Sequence, residues 1–212
     1  MNVIAFDTAS PLPAVAVLTA GGEIYEERLP SDRRAAEELL PALERALAAA
    51  GERLQDCRRI AVCAGPGSFT GVRIGLASAW GLGRALRAGV EAVSTLEAMA
   101  EAARESAGGR VAAALDAGRG EIIAARFALE SPRARALAPP SRLDREEARR
   151  LAAEESLFCL PADLVPNAKP LPVSPCRALA LAVGRAARED SPLGPRAIYA
   201  RPPAAEEKRG AP

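Results

Sequence analysis

Ala64-Gly65-Pro66-Gly67-Ser68-Phe69-Thr70-Gly71-Val72-Arg73-Ile74-Gly75 is the stretch on which the reading of the chain turns. The run before it, Arg59-Ile60-Ala61-Val62-Cys63, is apolar, β-prone and short enough for a buried strand. Arg73 to Leu86 contains no proline and reads as a helix. Between them Gly65, Pro66 and Gly67 force a turn, because glycine reaches positive φ freely and proline fixes φ. Ser68 and Thr70 both suit an N-cap. Such a turn can bind an anion through free N–H groups and the helix dipole, or it can be a structural elbow from strand to helix. The spacing is neither G-x-x-x-x-G-K-[ST] nor a clean G-x-G-x-x-G, and no lysine follows to hold a phosphate. On physics alone the elbow comes first.

Working outward toward the N-terminus, Asn2 to Asp7, Ala14 to Leu18 and Glu23 to Leu29 read as three strands joined by turns at Thr8–Pro11 and Gly21-Gly22. Ser31 or Asp32 can cap a helix running to Ala50, with Leu39, Leu40, Leu43 and Leu47 on an apolar stripe and Gly51 as its stop. Toward the C-terminus, Val90 to Val93 is a short strand, and Ser94 with Glu97 forms the pattern of a capping box opening a helix to Ser106. The order βββαβαβα differs from a Rossmann unit, which alternates strand and helix from the start. It is the order of a ribonuclease-H-like domain. Gly108-Gly109 reads as a boundary, giving an N-terminal lobe over 1–107 and a second lobe with a tail over 108–212. Beyond it, Arg110 to Asp116 and Glu121 to Phe127 form a strand pair. A helix over Asp144 to Glu155, a strand over Leu157 to Leu160 and a helix over Pro175 to Glu189 follow, the last with Ser174 as N-cap. Asp7 and Asp116 each end a strand that feeds a hairpin, which suggests that the halves are structural repeats.

Of the 212 residues 49% are hydrophobic and 26% charged, so a packed core is expected; aromatics are only 3%, so that core is aliphatic. The net charge of +1, with acids and bases intermixed, argues against independent nucleic-acid binding. There are no histidines, which excludes a histidine-based triad, an H-E-x-x-H zinc site and a histidine general base. Cys57, Cys63, Cys159 and Cys176 show no C-x-x-C spacing and read as buried, reduced thiols. The first residues read as a strand and no apolar run reaches about 18 residues, so a cytoplasmic protein is expected.

Gly65 to Leu76 resembles, over twelve consecutive residues, the most recognisable segment of the TsaB/YeaZ family of bacterial tRNA threonylcarbamoyladenosine biosynthesis proteins. Ile4 to Ser10 is similar to the family's opening I-x-x-D-T strand. Asp116 to Glu121 resembles its D-A-R-x-x-E-V-Y hairpin, with Gly118 in place of an arginine and Ile123 in place of the tyrosine. Pro195 to Pro202 resembles its P-x-Y-x-R segment, and Ser31 to Pro41 matches S-x-x-H-S-x-x-L-L-P in part, without the histidine. The resemblance implies two ribonuclease-H-like lobes of the actin-like ATPase (ASKHA) type, the second reduced. It implies a non-catalytic accessory subunit that works with a TsaD-type catalytic subunit and a TsaE-type ATPase. The product is N6-threonylcarbamoyladenosine (t6A) at position 37 of ANN-decoding tRNAs. It further implies a homodimer when alone, tRNA contact only through the complex, and no membrane. No catalytic residue, metal or cofactor is assigned. A free-standing ATP-dependent sugar or acyl kinase of the same fold is the alternative, and it needs a second-lobe phosphate loop that the sequence after residue 108 does not display. A protease is disfavoured: Ser68 does not sit in G-x-S-x-G, and no histidine exists to activate it.

Two sets of residues carry expectations. In ATP-binding relatives of the superfamily the strand-end aspartates organise Mg²⁺ and phosphates, so a residual nucleotide contact falls on Asp7, Thr8, Gly67 and Ser68; the bland reading is that Asp7 caps its own turn. In the family the first two helices meet the partner, which assigns Leu39, Leu43 and Leu47 on the first and Gly71, Gly75, Leu76, Ala79, Trp80 and Gly83 on the second. Glycines within a helix cost about 1 kcal/mol each against alanine, so a stripe of them signals close packing, against this chain's own sheet or against a partner's helix. Glu37 and Glu38 read as a solvated helix face.

Overall fold

The computed structural model describes residues 2–30, 34–118 and 121–186. The expected caps Ser31 and Asp32, the tip of the Asp116–Glu121 hairpin, the Pro195–Pro202 segment and the tail from Ala204 lie outside them. The first sheet runs β3-β2-β1-β4-β5. Its strands are β1 (Asn2–Asp7), β2 (Ala14–Leu18), β3 (Ile24–Arg28), β4 (Cys57–Cys63) and β5 (Gly89–Val93). The first three form an antiparallel meander, while β4 lies parallel to β1 and β5 parallel to β4. Parallel neighbours need crossover helices. These are α1 (Ala35–Ala50), between β3 and β4, and α2 (Phe69–Leu86), between β4 and β5. Gly51 ends α1 at φ 65°, the left-handed conformation expected of it.

The second sheet repeats the opening. Strands β6 (Arg110–Gly118) and β7 (Glu121–Ala128) pair antiparallel, and β7 is flanked by the short β8 (Arg135–Ala136) and β9 (Ser141–Leu143). Helix α4 (Arg145–Glu154) then leads to β10 (Leu157–Leu160), parallel to β6. Both sheets thus follow meander, helix, parallel strand, and the chain is two ribonuclease-H-like lobes of the actin-like ATPase type, the second smaller. β8 and β9 escape the sequence because runs of two and three residues carry no periodicity.

Alternation places Ile4, Phe6, Val15, Val17, Ile60 and Val62 on one face of the first sheet, under α1 and α2. Val3, Ala5, Ala16, Ala61 and Cys63 face the other way, toward α5 (Pro175–Arg185). Helix α3 (Thr95–Ala102) lies beside α5 and packs Leu96, Met99 and Ala100 on the near face of the second sheet, whose far face is covered by Ala148 and Leu151 of α4. The layers therefore run α1/α2, first sheet, α3/α5, second sheet, α4.

Three readings change. Ser94 caps α3 by position but makes no side-chain cap bond, and the Glu97 carboxylate bonds Arg133. Helix α3 ends at Ala102, and Arg104–Ser106 is a separate 3-10 turn. Helix α5, beyond Gly108-Gly109 in sequence, packs on β1, β2 and β4 of the first sheet. Among the described residues no helix is long and apolar enough to cross a membrane.

Candidate functional site

The elbow between β4 and α2 is pressed against the turn that follows β1. Gly65 and Gly67 take φ of 98° and 154°. A Cβ on Gly67 would stand 2.1 Å from the Ala9 carbonyl oxygen, and one on Gly71 only 1.7 Å from the Thr8 carbonyl oxygen. The two segments are stitched together. Ser68 N donates to Ala9 O at 2.8 Å, and Thr8 Oγ1 donates to Gly71 O at 2.6 Å. Ser68 is the N-cap of α2, its Oγ accepting from Gly71 N at 3.1 Å. Of the two cap candidates the structure selects Ser68.

Asp7 lies beneath this junction, fully buried. Its Oδ1 accepts from Ala9 N at 3.0 Å and Ser10 N at 2.9 Å, and its Oδ2 accepts from Ser10 Oγ at 2.5 Å. Both carboxylate oxygens are occupied by the chain's own turn. Asp7 is thus an Asx-type cap turned into the core. Burial raises its carboxyl above the ordinary 3.8, against the pull of the bonds from Ser10, Ala9 and the Cys63 thiol. The thiols are quiet for the same reason: burial pushes Cys57 and Cys159 up to about 11, and raises Cys63 and Cys176 well above the ordinary thiol value.

A raised carboxyl in the fold binds its proton more readily than in the unfolded chain, so its contribution to stability falls as pH rises from 3.8 through the folded value. The stability difference between the native chain and Asp7→Asn should therefore shrink with rising pH in that window, by at most about 1.4 kcal/mol per unit. Urea melts at stepped pH read this directly. A difference that stays constant would mean Asp7 titrates alike in both states.

Above Asp7 a cavity of about 630 Å³ opens, lined by Thr8, Ser10, Gly67, Ser68, Ile74 and Asp116 among others. The structure thus gathers Thr8, Gly67 and Ser68 at one cavity, together with Asp116 from the second sheet. The first residues of α1, Ala35 and Ala36, complete the wall. Among the described residues no group of three or more His, Cys, Asp or Glu side chains could hold a metal ion.

The small-residue stripe on α2 faces the chain's own sheet. A Cβ on Gly75 would stand 2.6 Å from Thr8 Oγ1 and 3.1 Å from Val62 Cγ2, and one on Gly83 2.3 Å from Val90 Cγ2. Ala79 is fully buried beside them. Leu39, Leu43 and Leu47 are buried in the same core layer. These six residues, with Gly71, are corrected from partner face to core: the sheet needs close helix approach, and it takes the apolar stripe of each helix. Leu76 and Trp80 are half-buried, Leu76 packing on both clusters of the first sheet and Trp80 keeping its Nε1 out of solvent.

The opposite faces of the two helices were missed. Leu40 is 49% exposed on α1, and Phe69 is 40% exposed at the start of α2. The Arg73 guanidinium lies 3.8 Å from the Phe69 ring centroid. Ala77, Gly81 and Ala85 are exposed along α2, with nothing within 4 Å of where a Gly81 Cβ would be. The outer faces also differ in charge. α1 presents Glu37 and Glu44, whereas α2 with its C-cap presents Arg73, Arg84 and Arg87. A signal in the sequence was the stripe of Leu39, Ala42, Leu43, Ala46 and Leu47, which leaves Leu40 at its edge.

Comparison with known proteins follows the same lines. The family model described as "TsaD: tRNA N6-adenosine threonylcarbamoyltransferase" matches residues 29–151, more than half of the chain. The tRNA threonylcarbamoyladenosine biosynthesis protein TsaB of Escherichia coli K12 is 38% identical over 129 residues, 60% of this chain and 55% of that protein. TsaB of Haemophilus influenzae is 34% identical over 134 residues, 63% of this chain and 56% of its own length. The aligned part therefore spans little more than half of these curated relatives. A crystal structure from Pseudomonas aeruginosa, described as an uncharacterized protein with similarity to peptidase YEAZ, superposes with a TM-score of 0.70 at 30% identity, covering 86% of this chain and 90% of that one. Two stacked lobes, a β1 turn locked onto the glycine elbow, and these matches converge: the chain belongs to the TsaB/YeaZ family, under the TsaD-type family model.

Proposed function

We propose that this chain is a non-catalytic scaffold subunit for t6A formation at position 37 of ANN-decoding tRNAs, acting in the cytoplasm with a TsaD-type catalytic subunit and a TsaE-type ATPase. The observation that carries the reading is Asp7. An actin-like kinase needs that strand-end carboxylate free for a cation and phosphates, and here both of its oxygens are taken by Ala9 and Ser10. The absence of histidine from the sequence supports it, since it removes the commonest general base. In this reading the strands of residues 1–107 carry the partner-binding helices, residues 108–212 form the reduced lobe and tail, and α5 returns to the first sheet.

The partner surface is the outer face of α1 and α2, around Leu40, Phe69, Ala77 and Gly81, instead of the buried stripes. The TsaD-type subunit occupies it in the complex, and a second copy occupies it when the chain is alone. A two-fold contact sets the acidic face of α1 against the basic face of α2, which is the self-complementarity an isologous dimer requires. tRNA is met only through the complex, consistent with the balanced charge.

Reconstitution tests this. The chain alone should form no t6A and hydrolyse no ATP, and addition of it to the TsaD- and TsaE-type subunits should be required for t6A on tRNA. Gly81→Leu, whose Cβ would have nothing within 4 Å, should weaken association with the TsaD-type subunit about tenfold, or ~1.4 kcal/mol, at a melting temperature no lower than that of the native chain. Mg²⁺-dependent ATP hydrolysis by the isolated chain that is lost in Asp7→Asn would overturn the scaffold reading in favour of the kinase.

A further inference from the structure

We infer that the two lobes are tied together at both ends of the layer between them, so that the angle between the sheets is fixed and the cavity above Asp7 cannot open or close by a hinge. The inference stands whether or not the chain acts in t6A formation.

One tie lies at the base of the layer. The segment from Leu129 to Ala134, between β7 and β8, leaves the second sheet beside the start of β6, where Leu129 N donates to Gly109 O at 2.8 Å. Arg133 reaches from it into the first lobe. Its Nη1 bonds Glu91 of β5, and its Nη2 donates to Glu97 Oε1 of α3 at 2.5 Å. The second oxygen of Glu91 accepts from Arg59 Nη2 of β4 at 3.0 Å. Arg59 also donates to the last carbonyls of α5, Val183 O at 2.6 Å and Ala186 O at 2.7 Å. Glu101, its side chain 1% exposed, closes the set. It accepts from Ala134 N, from Arg104 Nε at 2.7 Å and from Arg185 Nη2 at 2.6 Å. Arg104 and Arg185 also donate to Leu129 O and Pro132 O of the same segment. Four strands and helices of the first sheet and the middle layer therefore grip one segment of the second lobe.

The other tie lies at the far end of β6. There the turn between β1 and β2 packs Leu12 against the apolar core of the second sheet, which includes Leu115. The cavity is at this same end, since Leu115 and Asp116 help to line it. Hinge closure requires one end of an interface to stay put while the other separates. Here separation at the base would take Arg133 from Glu91 and Glu97 and the Ala134 N–H from Glu101, leaving buried carboxylate oxygens short of donors, which is unfavourable. Separation at the other end would expose Leu12 and the core beneath it. Neither end is free to be the moving one.

Distance measurement between nitroxide labels tests this in the full chain. The four native cysteines are buried, so labels go selectively to cysteines introduced at the exposed positions Ala48 on α1 and Arg149 on α4. The expected result is one narrow distance distribution, unchanged by saturating Mg²⁺ and ATP. Arg133→Ala should broaden it at least twofold. Arg133→Lys, which can serve only one of the two carboxylates, should fall between. Glu91→Gln, which keeps the shape and an acceptor oxygen, gives a second route if Arg133→Ala does not fold. Hydrogen exchange should then rise at least tenfold in residues 129–136 and at the end of α5, while β1 and β6 stay protected. A broad or two-peaked distribution in the native chain, a shift on adding nucleotide, or an undisturbed distribution and exchange pattern in the variants would each overturn the inference.

Discussion

Gly71→Ala is expected to leave little folded protein. The added methyl carbon would stand 1.7 Å from the Thr8 carbonyl oxygen and 2.8 Å from its carbon, and both are backbone atoms. Thr8 cannot retreat easily, because the turn it belongs to is held by the Asp7 carboxylate and by Ser68 N on Ala9 O. Accommodation means lifting the whole N-terminus of α2 off β1. Ordinary overpacking costs about 1–3 kcal/mol; displacing a helix that covers a core should reach ~4 kcal/mol or more, against a typical total of about 5–15 kcal/mol. The control is on the same helix. Gly81→Ala meets nothing within 4 Å and should stabilise by about 1 kcal/mol through helix propensity. Urea unfolding of the two variants, with slopes compared, separates contact from propensity. An unshifted midpoint for Gly71→Ala would mean that α2 does not rest on the β1 turn.

Leu179→Ala should cost about 2–5 kcal/mol, the range for deleting a fully buried leucine side chain. Leu179 is 0% exposed and sits with Cys176, Ala180 and Val183 against Val3, Ala5 and Ala61. The helix is anchored at both ends to the first sheet. Ser174 Oγ donates to Glu26 of β3, and Arg59 of β4 holds the last carbonyls. Little collapse into the vacated space is available, so the cost should fall toward the upper half of the range. The decisive readout is where protection is lost: amide exchange should rise in β1 and β4. A loss confined to β6 and β10 would put α5 with the second lobe, where its place in the sequence suggests it belongs.

The element order was legible because each signal is local. Short apolar runs mark β1 and β2, glycine and proline mark the elbow, and Ser174 with Pro175 marks the start of α5. What was not legible depends on neighbours distant in sequence. Gly71, Gly75, Ala79 and Gly83 make one small-residue row and Ala77, Gly81 and Ala85 another; only Thr8, Val62 and Val90 decide which row is buried. Asp7 at a strand end has the same local signature whether it binds a ligand or caps a turn, and the hydrogen bonds from Ala9 and Ser10 separate the two. Glu97 stands at the right spacing to complete a capping box, but its carboxylate bonds an arginine from the second lobe. The identity of the fold came from exact wording over Gly65 to Leu76, a signal that no periodicity contains.

The position of α5 has a consequence for synthesis on the ribosome. Domains made early usually fold while the rest of the chain is still being translated. This first sheet cannot do so. Until Cys176, Leu179, Ala180 and Val183 have been translated and have left the exit tunnel, one face of β1, β2 and β4 lacks its cover. A nascent chain stopped at the lobe boundary would expose a row of small apolar side chains, Val3, Ala5, Ala14, Ala16 and Ala61, to whatever binds such surfaces in the cell. The two lobes thus mature together, once α5 has been translated, and a premature stop anywhere before α5 removes the first lobe along with the second.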